Sequence, residues 1–346
     1  MRVRVGCEFH YDTLGPVPMV MLVRARPDAE HTTLYESQWT KPDVNLREYR
    51  DTFENPCWRL VLPHGASVVR YDAIVDVSGE PDMVLPDAQL ALVQDLPDDT
   101  LMFTLPSRYI ESDLLINDAW NLFGHTPPTW ARIQAVCDWV FQNVEYETGS
   151  SGPTTTAYDV YQQRKGVCRD FAQLSVALCR ALNIPARYTF GYLPDIAVEP
   201  PDVPMDFHAW FEAYVGGRWH TFDARHNVPR IGRVKIAHGR DAVDVALSTA
   251  YGVANLANMV VWSDEIPEDG QVAEIVAGAG HPLAISPDVH YPGAEAAPTG
   301  TLGTTVTGNT MQATVLVSAG VAKTHNTADH LGDDTDAGAR SAPALS

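Results

Sequence analysis

The spacing of apolar positions changes twice along the chain. From residue 1 to about 105, short runs such as MVMLVRARP, WRLVLP and SVVRYDAIVDVSG are punctuated by Pro, Gly and Asp, and they predict a small all-β domain. From Pro106 the spacing becomes helical. Leu114, Leu115, Ala119 and Trp120 predict a helix over 112–123 that stops at Gly124. A second helix is expected to open with Thr126 as N-cap and Pro127 in its first turn, burying Trp130, Ile133, Val136, Cys137, Val140, Phe141 and Val144.

A short third helix is signalled by Thr156 with Asp159 three residues on, a capping-box pattern, and by Lys165 and Gly166 at its end. In the next segment Phe171, Leu174, Leu178, Ala181 and Leu182 keep helical spacing until Asn183 and Pro185 stop the helix. Then come a strand-like RYTFGYL, a Pro- and Asp-rich loop over 194–204, and a hairpin, HAWFEAYV-GG-RWHTFDAR. Together these elements describe an α+β unit over 106–265. Residues 266–292 form a C-terminal extension, and 293–346 a low-complexity, flexible tail whose apolar piece MQATVLVSAGVA is too short to span a bilayer. There is no internal repeat.

Charge narrows the range of partners. Among 346 residues, 24 are Lys or Arg and 44 are Asp or Glu, a net charge of −20 that repels phosphate backbones and anionic membranes. No local basic patch offsets it, so the expected partner is a protein or peptide substrate, with basic sequences favoured, and neither nucleic acid nor membrane. Oligomeric state is not legible. The five cysteines are an odd number at wide spacings without a C-x-x-C pair, and the N-terminus lacks an apolar signal region. That pattern predicts reduced thiols and a cytoplasmic protein, with no cofactor and no resident metal.

One of those thiols is placed for chemistry. Cys168 falls where the Gly166-Val167 turn meets a helix, and a helix N-terminus favours the thiolate. Cys179 lies eleven residues further along the same helix, about 16 Å away, among apolar neighbours, and reads as packing, as does Cys137. A two-residue turn at Gly216-Gly217 pairs Val215 with Arg218, Trp210 with Asp223 and His208 with Arg225. His208, Trp210, Glu212 and Tyr214 then share one sheet face with Trp219, Thr221, Asp223 and Arg225, and His208 and Asp223 are diagonal neighbours within side-chain reach. His220 faces the other way, with Phe211 and Phe222. Trp210 and Trp219 are placed to shield the histidine from water. Asp170 reads as a helix-N-terminal carboxylate with a structural role.

The segments GVCRDFAQLSVALCRALNIPARYTFGYL and DFHAWFEAYVGGRWHTFDA, with the preceding Ser107–Asp113 stretch, resemble the bacterial transglutaminase-like superfamily. The resemblance implies a papain-like cysteine-enzyme core preceded by a small all-β domain, with Cys168, His208 and Asp223 as catalytic residues in that chain order. Asp223 is followed here by Ala-Arg-His-Asn where the family more usually has Pro-Thr. The expected chemistry is acyl transfer through a Cys168 thioester, with His208 as imidazolium protonating the leaving amine and Asp223 orienting it. The Cys168 backbone N–H is the expected first oxyanion donor, and Tyr158 and Tyr161 are candidates for the second. Hydrolysis of amide bonds in proteins or peptides is favoured. Amine transfer, a non-catalytic module that keeps the fold, and a metal site of Cys168, His208, Asp223 and His226 are the alternatives.

Overall fold

A computed structural model describes residues 1–27, 30–200, 204–266 and 314–316. The N-terminal strands are β1 (Arg2–Thr13), β2 (Val17–Met21), β3 (His31–Lys41), β4 (Arg47–Arg50), β5 (Pro56–Leu62) and β6 (Gly65–Val77). The helical part holds α1 (Ile116–Phe123), α2 (Trp130–Asn143), β7 (Glu145–Tyr146), α3 (Ala157–Gln163), β8 (Lys165–Gly166) and α4 (Cys168–Ala181). There follow β9 (Ala186–Tyr192), β10 (His208–Val215), β11 (Arg218–Phe222), β12 (Val234–Gly239), β13 (Ser248–Ala250), β14 (Ala254–Ile266) and β15 (Thr314–Leu316).

The strands sort into three main antiparallel sheets, ordered β14-β1-β6-β3, β15-β13-β2-β5-β4 and β11-β10-β9-β12. The third sheet is covered on both sides, which explains why β9 and β10 are buried along nearly their whole length. Phe190, Tyr192 and Ile236 join a core with Phe9, Met19, Trp58 and Tyr71 of the N-terminal sheets. Phe211, Val215 and Phe222 join a second core with Ile133, Val136, Leu174 and Leu178 of the helices.

Several sequence expectations shift. The stretch at 112–123 is a 3-10 turn, Ser112–Leu115, followed by α1, and it buries Ala119 and Phe123 while Leu114 and Trp120 are exposed. Helix α2 begins later than expected. Its N-cap is Thr129, whose side chain accepts from the Ala131 N–H at 3.2 Å, because Pro128 disfavours helical geometry at Pro127. Phe141 is exposed, whereas the rest of the expected face, from Trp130 to Val144, is buried. Thr156 and Asp159 form the capping box of α3, but that helix ends at a left-handed Arg164, and Lys165–Gly166 pairs with β7.

The sheets join strands from both sides of the expected division at 105. Strands β13 and β14 hydrogen-bond into the N-terminal sheets, β14 against β1 along its full length. Residues 78–105 form no long strand and run along the helical layer instead, where Gly216 N–H donates to Gln89 O at 3.0 Å and Trp130 N–H to Ala88 O at 2.8 Å. The expected tail over 293–346 lies outside the described residues except for 314–316, whose backbone pairs with Ser248–Ala250.

Candidate active site

Helix α4 carries Cys168 as its first residue, after Val167 as N-cap. Asp170 occupies N3 and accepts from the Val167 N–H at 2.8 Å, and Arg169 grips its Oδ1 at 2.9 and 2.8 Å. Ser151 bonds the same carboxylate. Asp170 is therefore fully engaged in building the helix start, the structural role its position suggested. Every residue of α4 is buried, and the helix packs across β10 and β9. Arg180 meets this enclosure by donating to the carbonyls of Ala186, Leu105 and Arg240 at 3.0, 2.8 and 2.6 Å.

The hairpin has the register the sequence implied. Val215 pairs with Arg218, Glu212 with Thr221 and Phe211 with Phe222, and Gly216 and Gly217 take φ of 61° and 84°, which a primed turn requires. Asp223 follows the last paired residue. Its Oδ1 accepts from the N–H groups of Arg225 and His226 at 3.0 and 3.2 Å, so the carboxylate is fixed by its own turn. On the other strand His208 lies opposite Gly191, where a Cβ would come within 2.9 Å of the Trp210 ring and 2.1 Å of the Val234 carbonyl oxygen. Only glycine lets the sheet close this tightly beside the histidine.

His208 Nε2 donates to Asp223 Oδ2 at 2.8 Å. The same oxygen takes His226 Nδ1 at 3.2 Å and Arg233 Nη2 at 2.9 Å. Arg233 in turn holds Asp82 through Nε at 2.9 and 3.1 Å, which ties the 78–105 stretch to the site. Burial alone would raise Asp223, but the Arg233 charge and the hydrogen bonds from His208 and His226 hold it well below the usual carboxylate range. His208 moves the other way. Burial pushes its imidazole down to about 4, against the pull of Asp223. At neutral pH it is thus a neutral ring with Nε2–H on Asp223 and Nδ1 left to take up a proton.

Trp210 lies 6.3 Å from the His208 ring, with Arg233 5.0 Å from the indole centre, and shields the pair as expected. Trp219 does not. It packs on Phe103, Tyr214 and Arg187. His220 is buried against Trp130 at 5.3 Å, a packing residue. Tyr161 stacks on Trp139 and Arg164, and Tyr158 packs against the helical core. Sequence reasoning missed Arg233, Asp82 and Tyr146. Tyr146 pairs with Gly166, two residues before Cys168, and its hydroxyl feels the Cys168 thiol.

All five cysteines are buried, and none is in a disulfide among the described residues. Burial raises Cys7 to about 12 and Cys57 to about 11, and pushes Cys137 and Cys179 further up. His208, Asp223 and His226 also present ligand atoms within 4.8 Å of one another, but Arg233 on the shared oxygen opposes a cation there. No helix among the described residues is long and apolar enough to cross a membrane.

A model of the Transglutaminase-like superfamily matches residues 121–224, which span Cys168, His208 and Asp223. The 1.9 Å crystal structure of a candidate cysteine protease from Cytophaga hutchinsonii superposes with a TM-score of 0.71 at 36% identity, covering 78% of this chain and 92% of that one. An uncharacterised protein of Mycobacterium leprae (strain TN) is 34% identical over 230 residues, 64% of this chain and 81% of the relative. An uncharacterised protein of Mycobacterium tuberculosis (strain H37Rv) is 29% identical over 230 residues, 60% of this chain and 72% of the relative.

Proposed function

Because the chain belongs to the transglutaminase-like superfamily, we propose that it is a cysteine-nucleophile enzyme that breaks amide bonds of proteins or peptides through a thioester on Cys168, with water as the final acceptor. The observation that carries this reading is the 2.8 Å bond from His208 Nε2 to the buried Asp223 carboxylate, on the strand across which α4 packs. With Nε2 committed to Asp223, Nδ1 is the nitrogen that serves the thiol.

In the forward step the Cys168 proton passes to His208 Nδ1 as the sulfur adds to the amide carbonyl. Asp223 stabilises the imidazolium that forms without itself taking a proton. The α4 N-terminus favours negative charge developing beside Cys168. His208 Nδ1 then returns the proton to the departing amine, the C–N bond breaks, and a thioester remains. A water deprotonated by the same nitrogen releases the acid and restores the thiol. General-base assistance of this kind contributes about 10²–10⁴-fold. Five cysteines outside any disulfide among the described residues also support a cytoplasmic location.

The decisive measurement is intact mass spectrometry after mixing the protein with glutaminyl and unmodified peptides. A Cys168 acyl adduct that decays in buffer to the free acid is the expected result. An adduct that decays only when a primary amine is supplied would replace hydrolysis with transfer. No adduct on any peptide, together with equal slow alkylation of all five thiols, would overturn the enzyme reading.

A further inference from the structure

Arg225 stands out among the arginines near the site. Arg169, Arg187, Arg230 and Arg233 each hold a carboxylate. Arg225, half-buried, makes no side-chain hydrogen bond or ion pair among the described residues, in a chain of net charge −20. Its side chain meets the Tyr146 ring, with the guanidinium carbon 3.9 Å from the centroid. That contact holds the group in place without satisfying any of its five N–H donors.

The position matters as much as the vacancy of charge. Arg225 lies two residues after Asp223, and its backbone N–H bonds Asp223 Oδ1. Tyr146 lies beside Gly166, two residues before Cys168. The Arg225–Tyr146 contact therefore runs from the turn that orients the histidine to the strand that leads into the nucleophile. The nearby carboxylates do not bond its side chain: Asp223 takes five hydrogen bonds from other groups, and Asp206, which acts on the Tyr146 hydroxyl, accepts from the Phe207 N–H at 2.7 Å.

We propose that Arg225 is a specificity residue that receives a substrate carboxylate next to the scissile amide, so that this site prefers acidic peptides despite the acidity of the whole chain. The fork of a guanidinium matches a carboxylate in geometry as well as charge. The proposal rests on Cys168 being the nucleophile.

Iodoacetate and iodoacetamide test it, because both alkylate the same thiolate and differ in a carboxylate. Relative to glutathione, the iodoacetate-to-iodoacetamide rate ratio at Cys168 is expected to be raised about tenfold at low salt, an effect worth about 1.4 kcal/mol. Arg225→Gln should bring the ratio back to that of glutathione, and Arg225→Lys, which keeps the charge, should retain most of it. A wild-type ratio at or below glutathione's, or one unchanged in Arg225→Gln, overturns the proposal. Failure of iodoacetamide to select Cys168 would instead sink the proposed function. Two peptides then separate the carboxylate sources, one with an Asp beside the amide and a blocked C-terminus, the other neutral with a free C-terminus. The source is the peptide whose kcat/KM falls at least about fivefold in Arg225→Gln, and no fall for either counts against the proposal.

Discussion

Two buried carboxylates, Glu212 on β10 and Asp223 just after β11, differ in what neutralises them. Glu212 is closed on itself: Arg187 and Lys235 each approach an oxygen at 2.5 Å, and Arg187 reaches on to His238 Nε2 at 3.2 Å. Both of its main partners are permanent cations, and they hold it well below the usual range in spite of burial. Asp223 shares one oxygen among a guanidinium and two imidazoles, so part of its neutralising charge can come and go with a proton. A carboxylate saturated by fixed cations stabilises a sheet. One that leaves a neutral imidazole within reach can do chemistry.

The largest effect should come from Asp223→Asn, which keeps the shape and loses the charge that fixes the His208 tautomer. Turnover is expected to drop about 10⁴-fold, while urea unfolding moves little because Arg233 keeps Asp82. Glu212→Gln should do the reverse, leaving two buried cations and costing about 3–5 kcal/mol in the same unfolding experiment. If the two substitutions gave the same pattern, the distinction between the clusters would collapse.

Acid sensitivity sharpens the contrast. His208 binds its proton near 4 when folded and near 6.5 when unfolded, so its contribution is present above 6.5 and is lost as pH falls toward 4. His208→Asn should remove up to about 1.4 kcal/mol per pH unit of slope in that window. His238, pushed down to about 2 by burial, has the same sign and should keep sloping in that variant. Glu212, depressed in the fold, holds its contribution above about 4.5 and loses it only below, so Glu212→Gln should flatten the curve there. The smallest change is expected from His226→Asn, which removes one of three bonds to Asp223 Oδ2 and should slow turnover about two- to tenfold; an effect as large as that of Asp223→Asn would make His226 a principal partner.

What the sequence disclosed was local. The register of the β10–β11 hairpin follows from two glycines, and the start of α4 from a turn, an acidic N3 residue and an apolar stripe, so Cys168, His208 and Asp223 could be placed by counting. Arg233 and Asp82 were invisible because they are 151 residues apart and meet only once the 78–105 stretch has wrapped the helices. Tyr146 carried no periodic signal, lying in a two-residue strand. Strand β14 read as part of the catalytic unit because nothing in its own spacing names β1 as its partner.

That β1–β14 pairing has a consequence for how the protein is made. Arg2 pairs with Ile266 and Thr13 with Ala254, so an interior strand of the sheet waits for a neighbour that leaves the ribosome some 250 residues later. At about 5–20 residues per second, the interval is tens of seconds. Throughout it β1 has β6 on one side and an open edge on the other, an edge of the kind that recruits other chains. Helices α1–α4 and strands β9–β12 are all translated inside that interval, and the arrival of β14 is what finally shuts the sheet.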